Sequence, residues 1–187
     1  MKMNRLQTAV LIAACFITVL MRVRDMPVRL DSMIALTLLC GAVVRHPTAL
    51  ILPLAIRLLT DTILWYRTGY GFYSSILFDY SAYLLIVLLV RYIPAPRYLN
   101  VVVGGLAGPC LFFVISNLGV WCMWPETYPP TVAGLMNCYA QGLPFLRSSM
   151  VGNLSFALVF LAAWHVATVF VPANSVTVVN ADSSNEV

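Results

Sequence analysis

Charge is scarce in this chain. Ten arginines and one lysine face seven acids in 187 residues, and they are scattered singly instead of gathering into a basic stripe, which excludes a nucleic-acid-binding surface. Polar sequence sufficient for a soluble domain is lacking as well. Hydrophobic residues make up 61% of the chain and mean hydropathy is +0.88, far outside the composition of soluble globular proteins. Catalytic signatures are absent: there is no GxSxG, HExxH, P-loop or paired-carboxylate motif, and the two histidines, His46 and His165, stand far apart. Ser148 and Ser149 have no evident base, so neither an enzyme nor a cofactor is expected. Cysteine forms no CxxC and no even framework. Cys15, Cys40, Cys110, Cys122 and Cys138 are isolated, and buried thiols are expected in place of disulfides or metal ligands.

Long apolar runs are present, and they point to an all-α polytopic membrane helix bundle. A bilayer core of roughly 30 Å needs about 20 apolar residues per helix, so the length allows five or six spans and little else. The expected spans are Leu6 to Leu20, Ser32 to Val44, Thr48 to Tyr66, Ile76 to Ile93, Leu99 to Trp121 and Ser149 to Val171. The second is short for a full crossing, so a tilted or re-entrant segment is an alternative. The basic start of the first run suggests a signal peptide, but no small-x-small site follows it, so an uncleaved helix is expected. Residues 1–172 form the bundle on this reading, and 173–187 a polar, disordered tail.

Between the fifth and sixth spans, Thr131 can cap a short amphipathic helix. Val132, Leu135, Met136 and Tyr139 have its apolar spacing, and Gly142 and Pro144 are read as its end. Arginine and lysine divide equally between the two sides of a six-span topology, so charge leaves the orientation open.

Polar groups in apolar spans mark candidate sites, because an isolated charge at the centre of a membrane helix costs at least about 2.5–3.5 kcal/mol. Arg57 and Asp61 lie one turn apart, in a row with Pro53 and Trp65. They read either as an internal ion pair or as ligand and coupling groups, with Asp79 near enough in the next span to join them. Pro109, Phe113, Asn117 and Trp121 repeat the spacing without charge. Asn117 could hold a polar ligand between aromatic walls or simply bond another helix; Trp121 and Trp124 could equally anchor at the membrane interface. In the sixth span Ser149, Asn153, Ala157, Leu161 and His165 share a face, where a bundle histidine is a simpler reading than a proton relay. Ala9 and Ala13 form a small-xxx-small pair suited to close helix approach, and Gly104, Gly105 and Gly108 form another such face.

The runs FFVISNLGVW and TYPPTVAGLMNCYAQGLPFLRSSMVGN, with LPLAIRLLTDTILW and FDYSAYLLIVLLVRYI upstream, resemble a bacterial family of small membrane proteins of unknown function, DUF6580. That family is similar in turn to the substrate-binding S components of energy-coupling factor transporters. The resemblance implies a six-helix bundle in the inner membrane with both termini cytoplasmic. It also implies a small solute as ligand, and a transmembrane coupling subunit with its ATPases as partners besides the lipid bilayer. Ala9 and Ala13 fall where such relatives dock the coupling subunit, but no vitamin-specific signature or histidine-rich metal motif is present.

The expected function is therefore small-solute binding in a cavity of spans three, five and six, capped by the 131–142 helix. Arg57, Asp61, Asn117, Trp121, Tyr128 and Tyr139 are its candidate ligands. A non-transporting membrane scaffold is the alternative, and it requires a closed interior. A proton-coupled carrier is a third, requiring a titrating acid such as Asp61.

Overall fold

The computed structural model describes residues 3–24, 32–44, 46–92 and 97–170. The expected polar tail at 173–187 lies outside them. Six helices follow in order: α1 (Arg5–Val23), α2 (Met33–Val43), α3 (Thr48–Thr68), α4 (Ile76–Tyr92), α5 (Arg97–Met123) and α6 (Val132–Val169). Of these, α1, α3, α5 and α6 are long and apolar enough to cross a membrane. The Asn4 side chain and Gln7 start α1 with a capping box, and Gly69, at a φ of 74°, ends α3 in the left-handed conformation that glycine adopts without strain.

The organising element is the shortest one. Helix α2 touches all five others, which close a ring around it in the order α1, α3, α4, α5, α6 and back to α1. Every residue of α2 except Ala42 is buried, consistent with a helix that is hydrophobic all round. Gly104 and Gly108 of α5 let it approach closely: a Cβ at either would fall 2.5 Å from Leu38 or 2.9 Å from Ile34. Gly105 faces Leu154 of α6 instead, so the glycine face expected from the sequence divides between two neighbours.

At 11 residues, α2 rises only about 16 Å, roughly half the hydrocarbon thickness. Its first turn meets α6, where Asn153 Oδ1 accepts the Ala35 N–H at 3.1 Å. Its last turn lies beside Arg91, which donates to the Val44 carbonyl at 3.0 Å. Beyond that first turn the centre of the ring must be filled by side chains or left open.

The short amphipathic helix and the sixth span are one continuous helix of 38 residues. Thr131 caps it as expected, accepting from the Gly134 N–H at 3.1 Å, but neither Gly142 nor Pro144 ends it. Gly142 is needed for close packing: a Cβ there would lie 2.6 Å from Asn117 Oδ1 and 2.8 Å from the Phe113 ring. Pro144 removes a single backbone donor, a smaller loss in an apolar setting than opening the helix and freeing a whole turn of polar groups. The thiols also depart in part from expectation. Cys40 and Cys138 are buried and Cys15 half-buried, whereas Cys110 and Cys122 are exposed on the outside of α5.

Candidate functional site

The half of the ring that α2 leaves free has two contents. On the α1, α3 and α4 side is a network of ions and phenols. Arg57, 3% exposed, donates from Nε to Asp61 Oδ2 at 2.7 Å and from Nη2 to Asp79 Oδ2 at 3.3 Å. Arg22, at the end of α1, donates to the other Asp61 oxygen at 2.8 Å, and the Tyr80 hydroxyl donates to Asp61 Oδ2 at 3.0 Å. The Arg57 guanidinium also sits 5.5 Å from the centre of the Tyr83 ring, in cation–π range. The expected Arg57–Asp61 pair is thus real but is the core of a larger cluster. Arg22 and the tyrosines were not legible as members, because they come from other elements.

Tyr73 connects this network to the second feature. It lies in the turn between α3 and α4, accepts from Arg57 Nη2 at 2.8 Å and donates a short hydrogen bond to Asp79 Oδ2. Burial raises its phenol above the usual tyrosine range, which keeps it a donor.

Beside Asp79 opens a cavity of about 480 Å³, within the size of small-ligand sites. Its walls come from the α3–α4 turn and the start of α4, from α5, and from the first half of α6. Helices α4 and α6 do not touch among the described residues, and the cavity occupies the wedge between them. At its deep end are Pro109, Phe112 and Ser149, one turn from Gly108 and Asn153, which meet the first turn of α2. At its outer end are the exposed Trp124 and Gln141. Asp79 is the charged residue of the lining, while Arg57 and Asp61 stand one layer behind it.

The walls are braced. Phe112 packs on Tyr83 with ring centres 4.9 Å apart, and Phe113 meets the Tyr139 ring edge-on at 5.5 Å. Asn117 Nδ2 donates to the Phe113 carbonyl at 2.8 Å, and Cys138 Sγ points at the Asn117 carbonyl at 3.4 Å. Tyr128 donates to Gln141 Oε1 at 3.2 Å, and Gln141 Nε2 reaches Asn137 at 3.2 Å. Asn153, fully buried, donates to the Ser149 hydroxyl oxygen at 3.0 Å while holding α2. The support of α2 and the floor of the cavity are therefore one hydrogen-bonded unit.

The candidates from sequence divide accordingly. Asn117 and Tyr128 line the cavity. Tyr139 stands behind the wall, bonded to the Val114 carbonyl at 2.7 Å. Trp121 lies outside the lining, and its indole N–H donates to the Pro129 carbonyl at 3.0 Å, which fixes the turn into α6. The cavity is bounded by α4, α5 and α6, so the expected contribution of span three is indirect. Ala9 and Ala13 lie exposed on the outer face of α1, away from the cavity. His165 is exposed, with Trp164 buried beside it. No three His, Cys, Asp or Glu side chains gather as metal ligands would among the described residues. Ser75 and Phe112 were missed as wall residues, and Asp79 was read only as a possible companion of Arg57 and Asp61; a serine one turn before that acid was the available signal for Ser75.

Residues 2–174 match the family of unknown function DUF6580. No curated protein and no solved structure matches the chain.

Proposed function

The chain belongs to the DUF6580 family, and from its half-filled interior we propose that it is a membrane-embedded receptor for a small organic solute. One observation carries this reading: where α2 stops, the bundle retains a cavity of about 480 Å³ whose aromatic walls are braced from behind. Such bracing preorganises a site, which lowers the entropic cost of binding. The protein binds and does not catalyse, and its partner would be a transmembrane coupling subunit with ATPases, seated on the exposed Ala9 and Ala13 face of α1. That assignment rests on the likeness to S components.

The ends of the chain support an even number of crossings. Asn4 Nδ2 donates to the Ala167 carbonyl at 3.0 Å, so the start of α1 and the end of α6 share one side of the bundle. With that side cytoplasmic in the inner membrane, the turns at 69–75 and 124–131 and the cavity mouth face outward, as capture of an external solute requires.

The scaffold reading draws support from a different observation. Arg57 and Asp61 are satisfied within the protein, as a closed interior demands; the cavity at Asn117 speaks against it. Mass spectrometry of the protein released from native membranes, together with thermal unfolding against vitamins, nucleobases and metal ions, separates the two. Retention of a small molecule, or stabilisation by one class of compound, supports the receptor. An empty protein that no compound stabilises overturns it.

A further inference from the structure

Two polar groups on the cavity wall are not used by the protein. Asp79 is 7% exposed and Ser75 1%. Both donors to Asp79, Arg57 and Tyr73, go to Oδ2; Oδ1 has no partner among the described residues. The Ser75 hydroxyl likewise has none. The two residues are one turn apart at the start of α4, so both present to the same cavity, the serine as donor or acceptor and the carboxylate oxygen as acceptor only. Both line the cavity and open to it, so their spare hydrogen-bonding capacity matches a ligand edge.

Charge decides what that edge is. Arg22 and Arg57 balance Asp61 and Asp79 one for one, and the lining holds no other ionised side chain. A charged ligand would bring an uncompensated charge into a low-dielectric interior, a cost several times the worth of a hydrogen bond. The ligand must therefore offer its donor to Asp79 without carrying charge. Phe112 and Phe113, held by Tyr83 and Tyr139, supply flat apolar faces beside that edge.

Building on the receptor reading, we infer that the cavity takes an uncharged planar lactam or ureide heterocycle, its ring N–H on Asp79 Oδ1, its adjacent carbonyl on Ser75 and its faces against Phe112 and Phe113. A matched series isolates each element: 2-quinolone, N-methyl-2-quinolone, N-methylquinolinium and quinoline-2-carboxylate, titrated by saturation-transfer NMR against the full chain in lipid nanodiscs. The neutral N–H compound should bind best. N-methylation should weaken binding by about tenfold or more, as expected for a lost hydrogen bond to a carboxylate. Ser75→Ala, which leaves the Arg57 network intact, should weaken 2-quinolone by roughly threefold to tenfold, and the N-methyl compound, which keeps its carbonyl, by a similar factor. Asp79→Asn, if its unfolding midpoint is retained, should reduce the preference for N–H over N-methyl. Equal affinity for the two neutral compounds, or preference for either ion, overturns the ligand class while leaving the receptor intact. Binding of other chemistries but none of this series does the same. Failure of every compound, here and in the broad panel, removes the receptor reading itself.

Discussion

The two halves of this bundle's interior solve the same problem differently. Around α2, a helix whose ends are satisfied by Asn153 and Arg91 fills the centre with apolar side chains, and Met33, Ala35, Leu36, Leu38 and Cys40 are almost wholly inaccessible. Beyond its first turn no sixth helix is available. The space is divided between a cluster of ions that neutralise one another and a cavity that nothing in the described chain fills. Packing makes the first half rigid and chemically silent, whereas the second keeps unused polar groups. The contrast teaches that the shortness of one central helix creates the site.

The largest test of that contrast is Asp61→Ala. Removing the carboxylate strands Arg22 and leaves Arg57 only Asp79 to neutralise it, and should cost about 3–5 kcal/mol, visible as loss of folded protein in denaturant titrations in micelles. A cost below that of an ordinary surface mutation would mean that the network is solvated and that the polar half is not an interior at all.

Next comes a paired comparison of the halves. Leu36→Ala, in the packed half, should lose about 2–5 kcal/mol. Phe113→Ala, on a wall already facing open space, should lose distinctly less stability but most of the ligand affinity. Calorimetric unfolding of both variants with and without ligand checks it, and equal losses would erase the distinction.

Asn153→Ala addresses the seam. It leaves the Ala35 N–H without its acceptor and should cost about 1–3 kcal/mol, with faster hydrogen exchange confined to the start of α2. Protection that is unchanged there would show that α2 is held by packing alone. The smallest effect is expected for Trp121→Phe. Losing the bond to Pro129 should cost about 0.5–1.5 kcal/mol, with ligand affinity unchanged; a large affinity loss would return Trp121 to the site.

Much of the bundle was legible in composition and run length, and Arg57 with Asp61 was legible because i, i+4 spacing joins residues within one helix. Asp79 joins them as its place in the next span allowed, but Arg22 and Tyr73 complete that cluster from two other segments, and no local spacing reveals such a meeting. Trp121 shared a helical row with Phe113 and Asn117, but its indole lies nearer the helix end and turns to the following loop. Gly142 and Pro144 carried the local signature of a helix stop. The helix passed through them because Phe113 and Asn117 require a glycine at that depth and because a break would free backbone groups in an apolar setting.

The sequence by itself determined a helical membrane chain and the need for an internal charge pair, since hydropathy and the cost of a lone ion are local properties. Only the tertiary structure decided that the shortest helix stands at the centre and that the space past its end is shared between a neutralised network and an aromatic cavity. Those outcomes depend on which faces meet across the ring, and contacts between distant segments leave no spacing to read.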